Sequence, residues 1–307
     1  MNCVLLFAGQ GAQKVGMGKD LYEESSVARN LFDQANEVLD RDLLKILFEG
    51  PDEELTKTAN CQPALFVHGL ALWAMLKEAC PALNPVAAAG LSLGEMTAHT
   101  CAGSFTFEEG LRVVAQRGLL MDEACAETEG AMAAMVGGDE EAVRALAVEN
   151  DIDVANLNAP GQIVISGAVA GVDAAVAGAK ERKIKLAKKL KVAGAYHSRL
   201  MAGAEAKLGP VLEGAEITSP SFPVVSNQRA ETVSDPSDIR ETLQKQVTGS
   251  VRWVESMRLL REQGNDLFIE LGPGKVLAGL MPRIDKEARI ETAGDLASLQ
   301  ELISKLT

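Results

Sequence analysis

Short apolar runs alternate with amphipathic stretches along most of this chain. Residues 4–8, Val-Leu-Leu-Phe-Ala, have the length and composition of a buried strand and run into a glycine-rich turn. Helical periodicity follows over residues 21–39 and again over 63–77. A second apolar run, residues 85–90, also ends in a turn, and a third, residues 266–271, is stopped by Gly272-Pro273-Gly274. A helical stretch begins at Val276 and a last helix is expected over 296–306. Strands separated by helices predict an α/β fold with a parallel sheet.

The middle of the chain has another rhythm. It reads as a strand over 131–136, a helix over 140–149 and a strand over 153–157. The turn Asn158-Ala159-Pro160-Gly161 leads into a strand over 162–166, then a helix over 172–182 and a strand over 184–192. That order, βαββαβ, is a ferredoxin-like unit. The expected organisation is a small subdomain at 125–194, inserted into a large α/β subdomain built from 1–124 and 195–307.

Composition narrows the function classes. With 47% hydrophobic and 24% charged residues in 307, the chain is an ordinary folded protein. No uninterrupted apolar run approaches the about 18 residues of a membrane span. The first seven residues lack a basic region and read as a strand, not a signal peptide. A net charge of −13 argues against nucleic acid as a partner. Five scattered cysteines without a CxxC pair suit a reduced, cytoplasmic chain. Three histidines with no ligand spacing give no expectation of a metal.

The strongest local signal is Gly90-Leu91-Ser92-Leu93-Gly94, between an apolar run and a helical stretch. Glycines flanking a serine at a strand-to-helix turn can present its hydroxyl above the sheet and aim the next amide at a developing oxyanion. The same five residues also suit a tight turn with a serine cap. A serine nucleophile needs a base. His68 lies in an apolar helical stretch, and His99 is two helical turns beyond Ser92, about 10 Å along the axis. His197, in Gly194-Ala195-Tyr196-His197-Ser198, sits in a small-residue loop and is the expected base. The turn Gly9-Gln10-Gly11-Ala12-Gln13 fails the dinucleotide pattern, which needs glycine where Lys14 stands, and it fails the P-loop pattern as well. It remains a turn with free amides.

Together, the GQGxQ turn, the GxSLGE elbow and the GA-aromatic-HS loop resemble the malonyl-CoA:acyl carrier protein transacylases. Further matches are Gln116-Arg117-Gly118, Gly130-Ala131-Met132-Ala133-Ala134, Asn158-Ala159-Pro160-Gly161-Gln162 and the segment from Ile269 to Lys275. The resemblance spans the chain and implies an α/β-hydrolase-like core with the ferredoxin-like insert. By it, Ser92 is the nucleophile, His197 the general base, and the amides of Gln10 and Leu93 the oxyanion hole. Arg117 would bind the malonyl carboxylate, and the main-chain carbonyl of Gln246 would orient the histidine. Leu91, Ala8 and Tyr196 stand where the family usually has histidine, proline and phenylalanine.

The resemblance implies malonyl transfer to a carrier thiol through a malonyl-serine, for fatty-acid synthesis, with no cofactor beyond malonyl-CoA and holo-acyl carrier protein. Residues 180–191 carry seven cations (Lys180, Arg182, Lys183, Lys185, Lys188, Lys189 and Lys191) against Glu181 alone. They could dock an acidic carrier, or protect an edge strand from aggregation. A serine esterase or thioesterase would share the elbow and base, and a non-catalytic binding subunit could share the fold.

Overall fold

The computed structural model describes residues 1–307. Its strands are β1 (Asn2–Phe7), β2 (Asn84–Gly90), β3 (Gly130–Val136), β4 (Asp153–Ala159), β5 (Gln162–Ala168), β6 (Leu186–Lys189), β7 (Val224–Val225), β8 (Thr232–Val233), β9 (Leu267–Leu271) and β10 (Arg289–Ala293). The large sheet has the order β10-β9-β1-β2-β7-β8. It is parallel except at one edge, where β8 runs antiparallel to β7.

A parallel sheet has both faces covered, and β1 shows how its sequence serves both. Cys3, Leu5 and Phe7 join the core packed with Phe66 and Leu70 of helix Thr58–Ala79. Val4 and Leu6 point the other way, into a cluster with Trp253, Met257 and Leu277. The period of two along the strand accounts for the split. Helix Thr58–Ala79 keeps Pro63 near its start. That ring cannot donate to the Ala59 carbonyl four residues back. Arg41 Nη2 takes up the freed oxygen at 2.6 Å.

The second sheet is antiparallel throughout, in the order β4-β5-β3-β6. Helices Glu140–Glu149 and Val169–Gly178 share a core with its strands, centred on Ile163, Ile165 and Val172. A segment of the chain outside this sheet pairs with the free edge of β4. Val251 forms a parallel bridge with Asn156, its amide donating to the Ala155 carbonyl and its carbonyl accepting from the Leu157 amide.

The helix expected over 63–77 runs from Thr58 to Ala79, and three other expected elements differ more. The periodic stretch 21–39 is two helices, Lys19–Glu24 and Ser26–Leu39, because Ser25 is extended and its side chain caps the second at Ala28. The helix expected at 172–182 is Val169–Gly178, and the chain then turns through Lys180–Lys183. The strand expected at 184–192 is only Leu186–Lys189. The Leu190 amide still donates to the Met132 carbonyl at 2.9 Å, and the chain then brings Gly194 against Cys125, whose Sγ would be 2.4 Å from a Cβ there. No helix is long and apolar enough to cross a membrane.

Candidate active site

The register of β1 on β2 sets Phe7 opposite Gly90, so the turns after both strands emerge side by side. Ser92 lies in the second turn at φ 55° and ψ −105°, ahead of helix Leu93–Cys101. Such a backbone is costly for a residue with a Cβ and persists only where its surroundings hold it. Asn227 holds this one. Its Oδ1 accepts from the Ser92 amide at 2.7 Å, and its Nδ2 donates to the Gly90 carbonyl at 2.8 Å. The flanking glycines are required by contact: a Cβ on Gly90 would lie 1.9 Å from the Gly94 backbone, and one on Gly94 would lie 2.2 Å from the Phe7 carbonyl.

His197 completes a dyad. Its Nε2 lies 2.8 Å from Ser92 Oγ, and its Nδ1 faces the carbonyls of Gln246 at 2.9 Å and Gly249 at 3.1 Å. Two carbonyl acceptors require the hydrogen on Nδ1, which leaves the Nε2 lone pair toward the serine hydroxyl. The ring is buried, and burial together with the nearby Arg117 charge lowers its pKa to about 4. At neutral pH it is therefore unprotonated and ready to accept. The other histidines stand apart from this dyad: His68 is buried without a hydrogen-bond partner, and His99 meets Ser104 Oγ at 3.2 Å.

The low value has a measurable consequence. Loading by malonyl-CoA, measured as kcat/KM, should change by less than about twofold between pH 6.5 and 5.5, where an imidazole of ordinary pKa would lose about fivefold. The expected decline sets in only as pH approaches 4 and the imidazole takes up its proton. A loss beginning near pH 6.5 would show that His197 is not held as described.

Arg117, in helix Phe107–Glu127, is only 1% exposed, unlike most arginines of an amphipathic helix. Its Nη1 donates to Gln62 Oε1 at 2.6 Å. Its Nη2 donates to Gln246 Oε1 at 2.9 Å and to Ser92 Oγ at 3.1 Å. Burial lowers its pKa to about 10, and Glu95 acts in the opposite direction. A fully protonated guanidinium thus borders the serine oxygen.

The amides of Gln10 and Leu93 donate to no acceptor within the chain. Their turns touch backbone to backbone, since a Cβ on Gly9 would stand 2.3 Å from the Leu91 carbonyl. Tyr196 uses the hydroxyl that phenylalanine lacks to meet Thr58 Oγ1 at 2.7 Å. Residues 180–191 lie outside this centre, on and around the edge strand β6. Arg182 pairs with Glu149 and Lys189 with Asp173, while the other five cations are exposed and form no ion pair. No group of three His, Cys, Asp or Glu side chains is arranged to hold a metal ion.

Four contributors have no role in the sequence reading: Asn227, Gln62, Glu95 and the Gly249 carbonyl. Asn227 and Gln62 sit in segments without a motif, and they reach the centre only through the tertiary fold. Glu95 belongs to the elbow motif, directly after Gly94, but spacing alone does not reveal its partners. Gln246 does more than orient His197, because its side chain also binds Arg117, Glu95 and the Ser92 carbonyl.

Comparison with known proteins identifies the family. The acyl transferase domain family matches residues 4–300. A malonyl CoA-acyl carrier protein transacylase of Bacillus subtilis is 42% identical over 306 residues, covering 98% of this chain and 96% of the relative. The crystal structure of an acyl-carrier-protein S-malonyltransferase from Bartonella henselae superposes with a TM-score of 0.95 at 37% identity, covering 100% of this chain and 99% of the other. A malonyl-transacylase solved in complex with a type II polyketide acyl-carrier protein superposes with a TM-score of 0.94 at 37% identity, covering 99% and 100%. With these matches over its full length, the chain belongs to the malonyl-CoA:acyl carrier protein transacylase family of acyl transferases.

Proposed function

We propose that this protein moves a malonyl group from malonyl-CoA to the phosphopantetheine thiol of an acyl carrier protein, through a malonyl ester on Ser92, in fatty-acid synthesis. One observation carries the reading: His197 Nε2 at 2.8 Å and Arg117 Nη2 at 3.1 Å converge on the same serine oxygen. The first makes the oxygen a nucleophile, and the second selects what it attacks. The carboxylate of a malonyl group lies two bonds from its thioester carbon, so its cation has to border the attacking atom. A planar guanidinium can meet that carboxylate with two parallel charge-assisted hydrogen bonds.

In the loading half-reaction His197 takes the Ser92 proton as Oγ attacks the thioester carbonyl. The amides of Gln10 and Leu93 stabilise the oxyanion, and CoA leaves as the thiol with the proton from His197. In the transfer half the carrier thiol gives its proton to His197 and displaces Ser92. The same pair thus works in both directions, and kinetics should be ping-pong. The cycle calls on no cofactor.

Intact-protein mass after separate incubation with malonyl-, methylmalonyl- and acetyl-CoA tests the reading. The expected result is a stoichiometric malonyl adduct that hydrolyses slowly in water and discharges rapidly to holo-carrier protein. Rapid hydrolysis without transfer would indicate a thioesterase.

For the carrier we propose docking on the cationic segment 180–191, supported by its five unpaired cations, its exposed Leu186 and Leu190, and its direct lead into the His197 loop. Reversing Lys188 and Lys191 to glutamate should raise the carrier KM by about 3- to 10-fold and leave malonyl-CoA loading unchanged. Equal effects on both half-reactions would leave β6 as a protected sheet edge. The division into 1–124 with 195–307 and a small subdomain at 125–194 belongs to the same reading, supported by the separate core of the antiparallel sheet. So does a cytoplasmic location, supported by five free cysteines.

A further inference from the structure

Glu95 takes no part in the reaction as drawn, yet its carboxyl group is wholly buried beside the elbow. Its Oε2 accepts two hydrogen bonds, from the Asn227 amide at 2.9 Å and from Gln246 Nε2 at 2.6 Å. Its Oε1 accepts none. The Gln246 amide that donates to Glu95 turns its own oxygen to Arg117. One side-chain amide therefore spans the acid and the guanidinium. The groups facing Glu95 from other elements are Arg117, Ser226 and Asn227 after β7, and Gln246 after helix Pro236–Lys245. Of these only Arg117 is charged. His197 is reached one step further on, through the Gln246 carbonyl.

Before substrate arrives, the acid and the guanidinium balance each other in a water-poor interior. A malonyl carboxylate brings a second anion to the same cation, and two anions around one buried cation repel. The unpartnered Oε1 offers a way out, because it can carry a hydrogen without breaking either bond to Oε2.

We propose that Glu95 is the resting counter-ion of Arg117 and is exchanged for the malonyl carboxylate, binding one proton at Oε1 as the malonyl group is loaded and releasing it as that group leaves for the carrier. The inference rests on the roles given to Ser92 and Arg117 above. The proton comes from solvent and returns to it, Arg117 stays protonated throughout, and above pH 7 the site holds one buried cation and one buried anion in both states. The ester exchange is itself proton-neutral, since the serine hydrogen departs on the CoA thiol. Burial raises the Glu95 pKa to about 7, with Asn227, Gln246, Arg117 and the Ser226 hydroxyl acting against that rise. An added anion therefore meets a carboxyl near its titration point.

Single-turnover loading in weakly buffered solution with a pH indicator counts protons, while intact mass counts malonyl-enzyme in the same sample. The wild-type protein should take up about one proton per malonyl-enzyme at pH 8, about half at pH 7 and little at pH 6. The Glu95→Gln variant keeps an oxygen for Asn227 and Gln246 and should take up none, which also corrects for ionisation of the released thiol. Its kcat/KM for malonyl-CoA should stay level from pH 7 to 8, where the wild-type value falls by about fivefold. Malonyl-enzyme formed at pH 8 without uptake in the wild type overturns the proposal, whether or not the variant folds. Uptake that persists in Glu95→Gln overturns it too, and assigns the proton to His197. Failure to form malonyl-enzyme at all would remove the functional reading first, and the exchange with it.

Discussion

Replacing Ser92 by alanine should give a folded protein that forms no malonyl-enzyme and transfers malonyl at least about 10⁴-fold more slowly than the wild type. Alanine bears the same Cβ at the same positive φ, so the elbow is no more strained than before, and the Asn227 bonds to the backbone on either side remain. What disappears is the one oxygen that both His197 and Arg117 address. Intact mass after incubation with malonyl-CoA, read beside a thermal melt, separates lost chemistry from lost fold. A malonyl adduct on the alanine variant would place the nucleophile elsewhere.

Arg117→Ala should spare the nucleophile and remove its selectivity. We expect kcat/KM for malonyl-CoA to fall about 10³-fold, roughly 4 kcal/mol, while that for acetyl-CoA changes little. Lysine at this position should recover only part of the loss, because it keeps the charge without the fork that now meets Gln62, Gln246 and Ser92. Two further readouts follow from the charge removed. Arg117 holds the His197 pKa down, so the acid limb of the rate profile should move up toward the ordinary imidazole range. Arg117 also favours the ionised form of Glu95, whose pKa already lies above the ordinary carboxyl value, so losing it raises that pKa further. The sign is therefore fixed: the protonated acid is tolerated in the folded state, and stability is lost as pH rises through the folded pKa. The alanine variant should melt closer to wild type at pH 5 than at pH 8. Retained preference for malonyl-CoA would assign carboxylate recognition to another group.

The large features were legible because they rest on local pattern. The apolar run before Gly9, the elbow around Ser92 and the Gly-Pro-Gly stop after Leu271 each lie where a strand ends, as their composition predicts. The order of strands and helices between Gly130 and Lys189 was legible too, since each element carries its own period. Limits of elements were harder to read. Ser25 splits one periodic stretch through a cap that periodicity does not register. The last strand of the small sheet is shorter than its apolar pattern predicts, and the chain beyond it packs Gly194 against Cys125, a contact no local pattern announces.

In the site, sequence spacing pointed to Ser92 and His197, but the hydrogen bond joining them spans 105 positions. Their supporting shell was silent. Asn227 and Gln62 are common polar residues in segments with no motif, and their roles come from folding over long separations. The burial of Arg117 was likewise invisible from its amphipathic helix, and only the family resemblance singled it out.

The bridge between Val251 and the free edge of β4 ties the small sheet to the segment that also carries Gly249. The imidazole leans on that glycine's oxygen, as well as on Gln246. Any hinge motion that slides one layer over the other would therefore tug on the ring that drives the chemistry. A carrier settling against the smaller layer would have a mechanical handle on proton transfer without ever touching the dyad.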